Sequence, residues 1–138
     1  SWTELGDLHR DRREWKAAAA AYHRARAVIE RTLGSRDVRI ATPLVRLGVL
    51  EVQRGRLGPA RAALEQAVDV YDSAGTSEIT SAGPRFVLAQ VLWESGSDRA
   101  RARALGERAR AAYAAAGQEY DGSESQAVEW LREIRPRR

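Results

Sequence analysis

Two histidines, His9 and His23, are the only imidazoles in this 138-residue chain, and it contains no cysteine. Nucleophilic, general-base or metal chemistry would have to be assembled around them. A metal site needs several His, Cys or carboxylate ligands at suitable spacing. Here each histidine stands alone on its own segment, with no carboxylate–histidine spacing of that kind, so His9 is read as a packed or half-exposed side chain. The glycine signatures of phosphate loops, dinucleotide folds and nucleophile elbows are absent. No catalytic residue, metal site or cofactor is assigned, and no small-molecule substrate is expected. The hydroxyls of Ser73, Thr76, Ser77, Thr80 and Ser81 cluster in one stretch and are read as a polar loop with helix caps.

Composition narrows the classes further. The net charge is +4, carried by 23 basic against 19 acidic side chains. Lys16 is the only lysine, and this arginine bias with abundant alanine points to a GC-rich, bacterial genome. Acidic residues are interleaved almost everywhere, and the aromatics sit singly at core spacing. Nucleic-acid binding, which wants a basic face and a stacking platform, is therefore disfavoured. No apolar run approaches the roughly 18 residues of a membrane span. The lack of cysteine fits a reducing cytoplasm. The lack of methionine leads us to expect a piece of a longer protein.

The elements that would position any functional side chain follow from a repeat of about 42 residues. Leu5-Gly6 recurs as Leu47-Gly48 and then as Leu88-Ala89. Ala18 recurs at Ala60 and Ala102, and Ala25 at Ala67 and Ala109. Gly34, Gly75 and Gly117 keep the same step. Each unit reads as two helices: about 2–13 and 15–33, 37–54 and 59–74, 79–95 and 98–116. Gly34 is expected as a left-handed stop, Pro59 as a first-turn residue behind a break at Gly58, and Asp98 as an N-cap. A seventh helix, about 123–135, carries Ala127, Trp130, Leu131 and Ile134 on one face and is expected to cap the open end. The alanine run "AAAAA" at 17–21 then has a reason. Ala18 and Ala25 are small positions where antiparallel helices approach, with Tyr22 as the large plug between them.

The spacing Trp2-x2-Leu5-Gly6-x2-His9 followed by Ala18-x3-Tyr22-x2-Ala25 resembles the tetratricopeptide repeat. The second unit repeats it as Leu44-x2-Leu47-Gly48, Gly55, Ala60-x3-Leu64-x2-Ala67. His9 and Glu51 depart from the family's usual tyrosine. The third unit is degenerate, with Gly106 at the plug position and Leu105 as the expected substitute. The joining segment "LGSRDVRIATPLVRLG" resembles kinesin-light-chain-type repeats. "VLWESGSDRARARALGERARAAY" resembles the C-terminal repeat regions of myxobacterial serine/threonine protein kinases, although the chain has no glycine-rich loop and no DFG. The resemblance implies an all-α superhelical stack of three antiparallel helix pairs plus a C-terminal capping helix, forming a single domain over 1–138 (units about 1–34, 35–75 and 76–117; cap about 123–135).

In that family the first helices line an inner groove. The resemblance places Asp7, Arg10, Val45, Arg46, Val49, Val52, Phe86, Gln90 and Trp93 there, with the valines, Phe86 and Trp93 as an apolar floor. The carboxylate clamp of chaperone-binding members is missing: Thr3 and Asp7 hold its first positions, and Gly83 and Val87 those of the third unit. The expectation is a non-enzymatic module that binds a protein or peptide, within a larger regulatory or signalling protein. The alternative is a structural element that packs on its own catalytic domain or on a copy of itself.

Overall fold

Apolar residues at helical spacing, punctuated by glycines, build seven α-helices and, among the described residues, no strand. The computed structural model describes residues 1–135. The helices are α1 (Trp2–Asp11), α2 (Trp15–Leu33), α3 (Ala41–Gln53), α4 (Leu57–Ala74), α5 (Glu78–Ser95), α6 (Arg99–Ala116) and α7 (Asp121–Glu133). The all-α expectation holds. The chain divides into two compact units, 1–75 with α1–α4 and 76–138 with α5–α7.

In the first unit, α1 pairs with α2 and α3 with α4. The closest approaches fall on the repeated glycines. A Cβ added to Gly6 would lie 2.5 Å from Tyr22 Cε1, and one on Gly48 would lie 2.6 Å from Leu64 Cγ. Real Cβ atoms do not come so near a neighbour, so these two positions must lack one. Ala18 and Ala60, the small partners on the second helices, are fully buried. The core continues through Ile40, Leu44, Leu47 and Leu50, with Trp15 and Ile29 packed against it.

The turn inside each pair is also repeated. Arg13, Gly55 and Gly96 occupy the same position in successive units and have φ of 60°, 72° and 68°. A left-handed backbone is the cheap way to reverse between the two helices, and it suits glycine. The first unit places an arginine there. This is why α1 stops at Asp11, two residues before the expected end, and why the break before α4 is at Gly55. Gly58 lies inside α4, where Pro59 is the third residue of the first turn.

Two other boundaries move. Residues 38–40 form a 3₁₀ turn, and α3 starts only at Ala41. Asp37 caps that turn, accepting from the Arg39 amide at 3.0 Å and from the Arg39 guanidinium at 2.9 and 3.0 Å. Those bonds hold the Asp37 carboxyl down at about 2. Gly34 does end α2, but at φ 95°, ψ 159°, outside the left-handed helical region.

In the second unit, α6 packs against both α5 and α7. Asp98 caps α6 through the Arg101 amide, as expected. The degenerate plug resolves differently from the expectation. Leu105 is buried, but the hole at Gly106 is filled from α7: an added Cβ would stand 2.6 Å from Trp130 Cζ3 and 3.3 Å from Leu131 Cδ2. Ala127 and Ile134 are buried on the same face. Gly117 and a 3₁₀ turn at 118–120 precede α7, as Gly34 and the turn at 38–40 precede α3. The helix that the sequence presents as a cap thus has the local entry of a first-type helix.

Candidate functional site

The chemistry-bearing side chains settle into structural roles. His9 Nδ1 lies 3.3 Å from Glu14 Oε1 across the α1–α2 turn. At the same register one unit later, Glu51 is 3% exposed and pairs with Arg54 at 2.9 Å and with Arg56 at 3.3 Å. His9–Glu14 and Glu51–Arg56 join equivalent positions of the two units, each across the turn between paired helices. The tripeptide His9-Arg10-Asp11 spells the start of a kinase catalytic loop. Lys16 stands where that motif needs its metal-binding asparagine, and the three residues form the end of a helix, so it carries no such role. Of the hydroxyl cluster, Thr80 and Ser81 lie in α5, and Ser81 is buried with Arg85 donating to it at 3.2 Å. Among the described residues no group of three metal-ligating side chains occurs.

Asp7, Arg10, Val45, Arg46, Val49 and Val52 fall in the first unit. Asp7 accepts from the Tyr22 hydroxyl at 2.6 Å and from Arg46 Nη1 at 2.6 Å, with Arg10 Nη1 4.0 Å away. One carboxylate ties α1 to α2 and α3. Burial, and then the Asp7 hydrogen bond, raise the Tyr22 phenol well above its ordinary value. The three expected polar residues are therefore one network, with Arg46 39% exposed at its edge. Val45 packs against the core, Val49 is half-buried, and Val52 is 37% exposed.

Phe86, Gln90 and Trp93 fall in the second unit. Here an open groove of about 510 Å³ runs between α5 and α7. Each helix contributes residues at i, i+3, i+4 and i+7: Gly83, Phe86, Val87 and Gln90 from α5, and Gln126, Glu129, Trp130 and Glu133 from α7. Tyr113 of α6 closes the back; it is buried and stacked on Tyr120, and burial raises its phenol. Phe86 is 9% exposed, in a core cluster with Ala82, Ala109 and Ala127, and meets Trp130 edge to face at 5.8 Å. Trp93 does not line this groove. It meets Trp130 at 6.3 Å, and Arg99 and Arg103 lie over its ring at 4.8 and 5.7 Å.

The family model described as "Tetratricopeptide repeat" matches residues 1–73, more than half of the chain. The chain belongs to the tetratricopeptide repeat family. No curated protein matches it. Two solved structures resemble its fold, both of the nearly identical TPR-like repeats of a protein assigned as a kinesin light chain in Podosopora anserina, one a single-substitution variant. The TM-scores are 0.81 and 0.80, each at 20% identity over 94% of this chain. The chain spans 61% and 62% of their lengths.

The tetratricopeptide fold is a protein-interaction fold. Sequence reasoning left out Trp130, Gln126, Glu129 and Glu133, because it reads α7 as a cap, and Tyr113, which lies on the second-type helix α6. The signal was present: Trp130 follows Leu88 by 42 residues, the step that relates Leu5 to Leu47. Among the described residues, no tetratricopeptide helix is long and apolar enough to cross a membrane.

Proposed function

We propose that this tetratricopeptide chain is a non-enzymatic binding module of a larger regulatory protein, taking an extended peptide or a helix on the exposed faces of its first-type helices. In the second unit the surface is the α5–α7 groove, with Phe86, Gln90 and Trp130 within it and Trp93 propping Trp130. In the first unit it is the Val45, Val49 and Val52 face, edged by Asp7, Arg10 and Arg46. The observation that carries the reading is the groove itself. It is a concave strip with aromatic rings at its base and amides and carboxylates along its sides, the usual make-up of a recognition surface. The test is a display selection of peptides against the chain, followed by affinity measurement. Val87→Asp and Gln90→Ala in the groove, and Val49→Asp in the first unit, should weaken binding. Arg110→Ala on the outer face should not, and the reverse pattern refutes the reading.

A second reading has its own observation. Trp2, Leu5 and Leu8 are 40%, 37% and 47% exposed, whereas Leu44, Leu47 and Leu50, one repeat later, are 0%, 6% and 0% exposed. In α3 those positions are covered by core packing that includes residues of α2; in α1 they are open. Exposed apolar side chains grouped in this way favour packing on another repeat or on a copy of the chain. Sedimentation at several concentrations, with Leu5→Glu as the control, separates self-association from peptide binding alone.

A further inference from the structure

The groove reading leaves the chemistry of the partner open, and the second unit carries an observation on it. α7 segregates charge between its two sides. Arg132, and Arg135 just beyond the helix end, line the cleft toward α6, together with Arg103, Arg110 and Glu107, the last paired with Arg110 at 3.0 Å. Glu129 and Glu133, one turn apart, line the groove toward α5, where no lysine, arginine or histidine is found among the described residues. Both carboxylates are exposed, and neither has an ion-pair partner among the described residues. They stand beside Trp130, which is half-buried and packs edge to face against the buried Phe86. Gln90 and Gln126 add one amide on each side, able to donate to and accept from a peptide backbone.

Resting on that groove reading, we propose that the α5–α7 groove receives a basic segment of a partner protein, with a lysine or arginine side chain lying against the Trp130 ring between the two glutamates. A cation over an aromatic face is favourable, more so when partly desolvated, and Arg99 over Trp93 shows the same pairing in this unit. The direction of the preference is set locally. The whole chain is +4, so long-range attraction favours an acidic ligand and opposes a basic one. Within a Debye length of about 10 Å at 0.1 M salt, the nearest charges in the groove are Glu129 and Glu133. A basic preference would thus be a property of this groove against the field of the molecule, and it is opposite to what the arginine-rich composition alone would suggest.

The experiment uses the full chain and two labelled peptides of equal length. One alternates lysine and leucine with glycine and serine spacers; the other replaces each lysine by glutamate. Anisotropy measures affinity, and NMR follows the Trp130 indole and the Gln90 and Gln126 side-chain amides. The lysine peptide should bind more tightly and move those signals. The reversal Glu129→Lys with Glu133→Lys should weaken it roughly tenfold or more, and the milder Glu129→Gln with Glu133→Gln should give an intermediate loss, which decides the matter if the reversal disturbs folding. Lysine-peptide affinity unchanged in the glutamine variant overturns the proposal. A glutamate peptide that binds as tightly and moves the same signals overturns the basic preference but leaves the groove reading standing. If neither peptide moves those signals, both fail.

Discussion

Substituting Gly48 by alanine should destabilise the fold, although alanine is the better helix former. In the interior of α3 the change gains roughly 1 kcal/mol of intrinsic helix preference. Against it stands the new Cβ, placed 2.6 Å from Leu64 Cγ and 2.9 Å from Cδ2. Leu64 is fully buried, so it cannot swing into solvent. Overpacking of this kind costs about 1–3 kcal/mol; a contact this short against a buried side chain belongs in the upper half of that range, so the net effect is a loss of about 1–2 kcal/mol. Gly83 is not a clean control. Unlike Gly122, in the first turn of α7, where an added Cβ meets nothing within 4 Å, Gly83 precedes Pro84, which disfavours a side chain there in helical backbone. Gly122→Ala is therefore the reference, and it should stabilise by up to about 1 kcal/mol. Gly48→Ala and Gly122→Ala should differ in thermal midpoint by roughly 5–10 °C. Urea unfolding of Gly48→Ala, Leu64→Ala and the double variant completes the cycle. The second cavity should absorb the first clash, so the double variant should lose less than the sum of the singles. If Gly48→Ala stabilises as much as Gly122→Ala, or if the cycle is additive, the small-residue account of the helix crossing is wrong.

Arg13→Gly should stabilise by about 0.5–1 kcal/mol. The residue sits at φ 60°, a conformation costly for a side-chain-bearing residue, partly offset by the greater unfolded-state freedom of glycine; an unchanged or lower denaturation midpoint would contradict this. Tyr22→Phe should cost about 1.5–3 kcal/mol through loss of a hydrogen bond to a charged acceptor. The same group sets an alkaline limit. The folded phenol is raised above its ordinary value of about 10, so its contribution is fully present below that value and is lost as pH rises through the folded one. Stability should therefore fall above about pH 10, and the fall should be shallower in Tyr22→Phe, followed by circular dichroism.

Much of this fold could be read without coordinates because its rules are local and repeated. The step of about 42 relating Leu5-Gly6 to Leu47-Gly48, and Ala18 to Ala60 and Ala102, reports which side chains must be small. A close crossing excludes a Cβ wherever it occurs. Boundaries were harder. Asp37 and Gly58 looked like a helix start and a break, but the first caps a 3₁₀ turn and the second lies within α4. In both cases the neighbouring backbone hydrogen bonds decide, and these depend on residues on either side.

The sequence by itself determined the family, the all-α class and the pairing of first and second helices, because periodicity and small residues dictate contacts between segments adjacent in the chain. Tertiary structure decided which side chains face outward together. Asp7, Arg10 and Arg46 looked like free edge charges, and they became a network with Tyr22 only when three helices met. Trp130 looked like the core of a cap. It fills the hole at Gly106 and, from the same ring, lines a groove with Phe86, because α6 holds α5 and α7 on either side of it. Burial and charge at a concave surface are sums over several helices, and no single helical stripe contains them.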